Sequence, residues 1–202
     1  MLKRIYLASA FALFIGEAST AQTLSIGPIA GANFMTISNT LLPKKLVGLS
    51  VGAFANYSIN ENLGTNVKLI FSQMGTGTDN SDYTVRLNYI QVPLSVVYYF
   101  GNTGNKIRPK LFAGPYGAFL LNASDKNGKN IVLPNGDDVY LKTDLGGILG
   151  AGFNYIIRPL TWLNIDASYS TSFYSIVDAT NSTNRNEGFQ INVGVSFPIG
   201  NK

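Results

Sequence analysis

Side chains of opposite character alternate along most of this chain, and that period of two limits its fold more than any other feature. The clearest run lies near the C-terminus, where Phe189, Ile191, Val193, Val195 and Phe197 alternate with Gln190, Asn192, Gly194 and Ser196. A second run places Leu163, Ile165, Ala167, Tyr169, Thr171 and Phe173 on one side. Asn164, Asp166, Ser168, Ser170 and Ser172 fall on the other. Successive side chains of an extended strand point to opposite faces, so this alternation specifies a sheet with one apolar and one polar face. Strands are expected near 24–34, 47–59, 63–74, 84–100, 107–121, 143–158, 160–176 and 187–199. In the second, Leu49, Val51, Ala53, Ala55 and Tyr57 oppose Ser50, Gly52, Phe54, Asn56 and Ser58. In the fourth, Ile90, Val92, Leu94, Val96 and Tyr98 oppose Gln91, Pro93, Ser95 and Tyr99. Pro93 lacks a ladder donor, which predicts a bulge there. The sixth alternates poorly, with Ile148 and Ile156 on the small-residue side.

The composition of the two faces decides which one is covered, and by what. The polar side is Gly, Ser and Asn with an occasional charge, whereas a face in bulk water favours long charged side chains. Charged residues make up only 13% of the chain, against about 25% in an ordinary soluble domain. The apolar side ends in aromatics: Phe189 and Phe197, Tyr169 and Phe173, Tyr98 and Phe100. An apolar band with aromatics at both borders is what a membrane barrel presents to lipid, with its polar residues inside. The expected fold is therefore all-β, an eight-stranded antiparallel up-and-down transmembrane β-barrel. A soluble lipocalin-like barrel is the alternative, and it requires the opposite orientation, apolar inward.

The connections follow the same pattern. Those at 60–62, 101–106 and 158–159 are short; those at 35–46, 75–83, 122–142 and 177–186 are longer and polar. Outer-membrane barrels alternate tight periplasmic turns with longer external loops, so both termini are expected on the periplasmic side. A membrane strand needs about 9–11 residues, and the fourth, fifth and seventh runs exceed that, which predicts hairpins projecting above the bilayer. Residues 1–21 read as an export leader. Lys3 and Arg4 precede an eleven-residue apolar run from Ile5 to Ile15, with Ser19 and Ala21 as small residues before Gln22. The barrel domain is then 22–202, placed in the outer membrane.

Several chemistries lose their principal residues. The 202-residue chain has no cysteine and no histidine, which removes thiol nucleophiles, the usual general base and the commonest zinc ligands. No enzyme activity, cofactor or metal is expected. A net charge of +4 without a basic cluster does not predict a nucleic-acid partner. Glycines 146, 147, 150 and 152 imitate a phosphate loop, but no helix pattern follows them, and glycines in a barrel strand relieve crowding. The loop acids Asp79, Asp82, Asp125, Asp137 and Asp138 lie in sequences suited to turns, and no calcium-loop pattern is present.

One constellation points to a site. Lys68, Lys110 and Asp166 each lie four or five residues into a strand, counted from a short turn, and each belongs to the polar phase. They are expected at one level of the lumen as an ion-pair layer, with Tyr116, Gln91 and Asn56 nearby. Eight strands enclose a space just wide enough for side chains to fill. Such a layer is more readily a stiffening polar core than a selectivity element.

Asn88-Tyr89-Ile90-Gln91-Val92-Pro93-Leu94, continuing to Tyr98-Tyr99-Phe100, resembles the hallmark strand of the PorT-like outer-membrane β-barrel family. Phe112-Ala113-Gly114-Pro115-Tyr116 is similar to that family's next strand, and Gly31-Ala32-Asn33-Phe34 to its first. The chain departs from many outer-membrane proteins in placing five residues after Phe197, where those chains end on an aromatic. The resemblance implies an eight-stranded barrel, and for some members a part in a protein-secretion apparatus. The expected role is structural or interactive, with loops displayed on a rigid barrel. A narrow pore, a small-ligand barrel or a secretion component are the alternatives. Expected partners are outer-membrane lipid and proteins met through external loops or periplasmic turns.

Overall fold

A computed structural model describes residues 24–40, 44–77, 84–134, 136–177 and 183–199. The leader 1–21, Gln22, Asp79 and Asp82 lie outside these residues. Eight strands run β1 Leu24–Ile37, β2 Lys44–Ser58, β3 Leu63–Gly77, β4 Val85–Tyr99, β5 Ile107–Ser124, β6 Thr143–Arg158, β7 Thr161–Ser172 and β8 Asn186–Ile199. Each pairs antiparallel with its sequence neighbours, and β8 closes on β1 from Leu24↔Ile199 to Ile37↔Asn186. Closure leaves no free sheet edge, the condition for a sheet to sit in hydrocarbon.

Orientation is set by the alternation. Along β8, Phe189, Ile191 and Val193 are exposed, while Gln190, Asn192 and Ser196 are buried. The same holds for β4, with Val92, Leu94, Val96 and Tyr98 outward and Gln91, Ser95 and Tyr99 inward. Leu149 is 65% exposed and Val47 63%, whereas Ser50, Ser72 and Ser170 are 0%. A soluble barrel would show the reverse. The outward aromatics pair at both borders: Tyr98 meets Phe100 edge-on at 5.0 Å, and Tyr169 meets Phe189 at 5.2 Å.

Two details differ from the sequence expectation. Pro93 carries no bulge. It stays opposite Tyr116, and the β4–β5 register shifts only between Asn88 and Tyr89, where Leu121 is the extra residue of β5. The ladder to β3 is interrupted at Pro93, between the pairs Val67↔Leu94 and Ile70↔Gln91, and resumes in the same register. The seventh strand is the shortest rather than one of the longest, 12 residues against 18 for β5. Its alternating pattern runs on to Phe173, but the chain then turns over the end of the barrel. Ile176 becomes buried there, Leu141 donates its backbone N–H to Ile176, and Tyr140 bridges Val177.

At that same long-loop end the polarity of the two faces exchanges. Met35, Ile37, Met74, Leu87, Tyr89 and Leu120 point inward and pack as an apolar cluster with Ile176. The outward positions beside them are polar: Gln73 donates to Asn88 at 3.1 Å, and Asn88 to Asn122 at 2.9 Å. Apolar inside and polar outside is the arrangement of a barrel in water. The exchange marks where the strands leave the hydrocarbon, and all four long connections lie beyond it.

The lipid-facing assignment predicts an unequal response to charge. Leu149→Arg is expected to destabilise the barrel in vesicles by about 2–4 kcal/mol, the cost of an arginine near the bilayer midplane. Leu133→Arg in the β5–β6 loop is expected to change stability by less than about 0.5 kcal/mol. Urea unfolding of both variants in lipid vesicles checks this, and equal losses would contradict the orientation.

Candidate functional site

The lumen is where the chain collects its buried polar chemistry, and Asp166 is its centre. Asp166 lies in β7 on the inward phase, opposite Gly152 of β6 and Asn192 of β8. Gly152 in turn faces Lys110 of β5, so the lysine reaches the carboxylate across a residue with no side chain. Lys110 Nζ lies 2.7 Å from Asp166 Oδ1, and Lys68 Nζ of β3 lies 3.0 Å from Oδ2. All three side chains are buried, so the pairs stand in a medium that screens little, where geometry and extra hydrogen bonds decide whether they stabilise. The second positive charge is spread over neighbours. Lys68 Nζ sits over the Phe112 ring, 5.2 Å from its centre, and Lys110 Nζ is 3.5 Å from Asn164 Oδ1.

The glycines of β6 make this filling possible. A Cβ at Gly152 would come within 2.7 Å of Asp166 Oδ1, and one at Gly150 would run into the Phe112 ring. One at Gly146 would run into the ring of Tyr116. The glycine cluster is therefore a strip of removed side chains on one wall of the lumen, facing large residues of β5 and β7.

The other residues grouped with the triad by sequence stand at different levels. Asn56 accepts from Asn66 at 2.7 Å, nearer the short turns. Gln91 accepts from Gln190 across the lumen at 3.4 Å. Tyr116 lies toward the loop end, where its hydroxyl is 3.4 Å from Asp144 Oδ2. Asp144 is a second buried carboxylate that sequence reading missed. Its Oδ2 also accepts from Ser172 Oγ at 3.0 Å and Asn186 Nδ2 at 3.1 Å. A signal was present, since Asp144 shares the inward phase with Gly146 and Ile148.

Of the described loop acids, Asp125 behaves as a turn residue. Asp125 Oδ1 accepts the backbone N–H of Asn127 and of Lys129 at 2.8 and 2.9 Å. Asp138 pairs with Lys142. Among the described residues no group of three or more acidic side chains is placed to hold a metal ion.

The triad predicts an asymmetry between breaking and replacing it. Asp166→Asn leaves two buried ammonium groups without a counter-charge, and a loss of about 3–5 kcal/mol is expected. The triple variant Lys68→Met, Lys110→Met, Asp166→Leu is expected to fall within about 2 kcal/mol of the parent. Unfolding monitored by the heat-dependent gel shift and by urea titration checks both; an Asp166→Asn protein as stable as the parent would contradict the account.

Comparison with known proteins agrees with this architecture. The family model described as outer membrane protein beta-barrel domain matches residues 20–178. Outer membrane protein W of Escherichia coli strain K12 is 26% identical over 159 residues, which cover 69% of this chain and 73% of that protein. Among solved structures, neisserial surface protein A superposes with a TM-score of 0.56 at 19% identity, covering 87% of this chain and 97% of that one. The outer membrane protein OprG of Pseudomonas aeruginosa gives 0.55 at 12% identity, covering 90% and 97%. At these identities the two structures speak for the fold alone. With a closed eight-stranded barrel, an apolar exterior and a family match over most of its length, the chain belongs to the outer membrane protein beta-barrel domain family.

Proposed function

We propose that this protein is a closed, rigid barrel that displays its long loops on one side of the outer membrane and conducts nothing through its lumen. The observation that carries the reading is the filling of the interior. The Lys68–Asp166–Lys110 layer spans the middle of the lumen, and the apolar cluster of Met35, Met74, Leu87 and Tyr89 fills the loop end. An ion entering from the loop side would have to displace packed apolar side chains before it met a charge. In this reading the triad stiffens the wall and is not a selectivity filter.

The short turns and both termini face the periplasm, and the loops face outward, by analogy with other barrels of alternating turn length. Within the family, the segments Asn88–Leu94 and Phe112–Tyr116 favour the PorT-like group. Those residues are strand-formers whose inward and outward roles are already accounted for by packing, so they support a place in the family and name no partner. The loop surface is the part left for partners. Val132 and Leu133 are exposed in the β5–β6 connection, held by a small hairpin that pairs Val132 with Asp138.

Planar-bilayer recording tests closure. The parent protein is expected to give no current steps above the bare membrane. Stepwise conductance from the folded, heat-modifiable form would overturn the proposal.

A further inference from the structure

The lumen opens at the short-turn end into a cavity of about 100 Å³, lined by Asn56, Tyr99, Asn105, Arg108, Trp162 and Ser196 among others. Among the described residues no acidic side chain lines it. Arg108 is held from behind. Its Nη2 donates to the backbone carbonyls of Glu61 and Gly101, and its guanidinium carbon stands 5.0 Å from the centre of the Tyr99 ring. Neither Nε, which is buried, nor Nη1 has an acceptor among the described residues. The Oδ1 of Asn154, the residue opposite Arg108 on β6, is likewise buried without a partner.

The charges nearby raise the demand for an anion. Arg108 and Lys110 share the inward face of β5 two residues apart. With Lys68 they make, among the described residues, three cations in this half of the lumen against the carboxylate of Asp166. Asp144 cannot compensate. It lies eight residues along β6 from Gly152, the partner of Lys110, roughly 27 Å at the rise of a strand. The donors that remain at the mouth are those an oxyanion accepts from: Arg108 Nη1, the indole N–H of Trp162 and the hydroxyl of Ser196, whose oxygen already accepts from Asn164 at 3.0 Å.

We propose that the short-turn mouth of the barrel is a carboxylate-binding site, with Arg108 as its charged anchor and the Asn105, Trp162 and Ser196 side chains around it. With Nη2 engaged and Nε buried, one carboxylate oxygen accepts from Arg108 Nη1, and the Trp162 N–H and Ser196 hydroxyl on the same lining serve the other. The carboxylate comes from a free small acid or from the C-terminal end of a peptide segment. The site does not rest on closure of the lumen, and the orientation proposed above decides only which compartment supplies its occupant.

The test is a titration of the folded protein in detergent micelles, reading the Arg108 side-chain N–H resonances by NMR. Acetate is expected to shift them saturably, while chloride at equal ionic strength does not. Arg108→Gln is expected to weaken the response, read at Trp162 N–H, by about tenfold or more, the usual worth of a charge-assisted hydrogen bond. Asn105→Asp, an exposed turn substitution that leaves Arg108 in place, is expected to weaken it as well by supplying a competing carboxylate. A tripeptide with a free C-terminus and its amide separate the sources. Tighter binding of the free peptide than of acetate assigns a chain end; binding of acetate alone assigns a small acid. A linear, non-saturating shift, or equal shifts from acetate and chloride, would overturn the proposal.

Discussion

A chain that turns half its strand side chains toward hydrocarbon has nowhere to satisfy its backbone polar groups except against its own strands. Closure of β8 on β1 meets that requirement, and much else follows from it. Eight strands fix a lumen that only side chains can fill. The polar phase of every strand therefore points into a confined space, and its groups must find partners there or lose their hydration for nothing. Asn33 donates to Ser72 and Gln190 to Gln91 across the lumen, and the two buried lysines gather around Asp166.

Filling that space is a problem of volume as much as of charge. Phe112, Tyr116 and the two lysines are too large to stand opposite ordinary residues. The β6 wall answers with Gly146, Gly150 and Gly152, each facing one of those large groups or Asp166. This explains why β6 alternates so poorly in sequence. Three of its inward positions carry no side chain, and Ile148 sits between them against Val97, Tyr99 and Phe112.

Much of this was legible from residue pattern, and the parts that were not have physical causes. β7 and β8 announce their faces because their whole spans lie where outside means lipid. Counting from the short turns places Lys68, Lys110 and Asp166 at one height, because short turns hold adjacent strands in fixed register. Tyr116, Gln91 and Asn56, expected nearby, share the inward phase but sit further up or down their strands. The apolar cluster at the loop end escaped notice because the polarity of the faces exchanges there. Alternation alone does not say that Met74, Leu87 and Tyr89 face inward; their polar neighbours Gln73, Asn88 and Asn122 are the sign that they do. Asp144 was passed over with them. The bulge at Leu121 leaves no mark in the sequence, whereas Pro93, which does stand out, interrupts the ladder to β3 without shifting its register.

The central claim is that the aliphatic phase of each strand touches lipid and the polar phase does not. The absence of native cysteine allows it to be measured one position at a time. Single cysteines placed from Phe189 to Phe197 in β8, labelled with a fluorophore in vesicles carrying brominated lipid, report contact with acyl chains directly. Quenching is expected at Phe189, Ile191, Val193, Val195 and Phe197 and not at Gln190, Asn192 or Ser196. Quenching of the opposite set, or of both equally, would contradict the account.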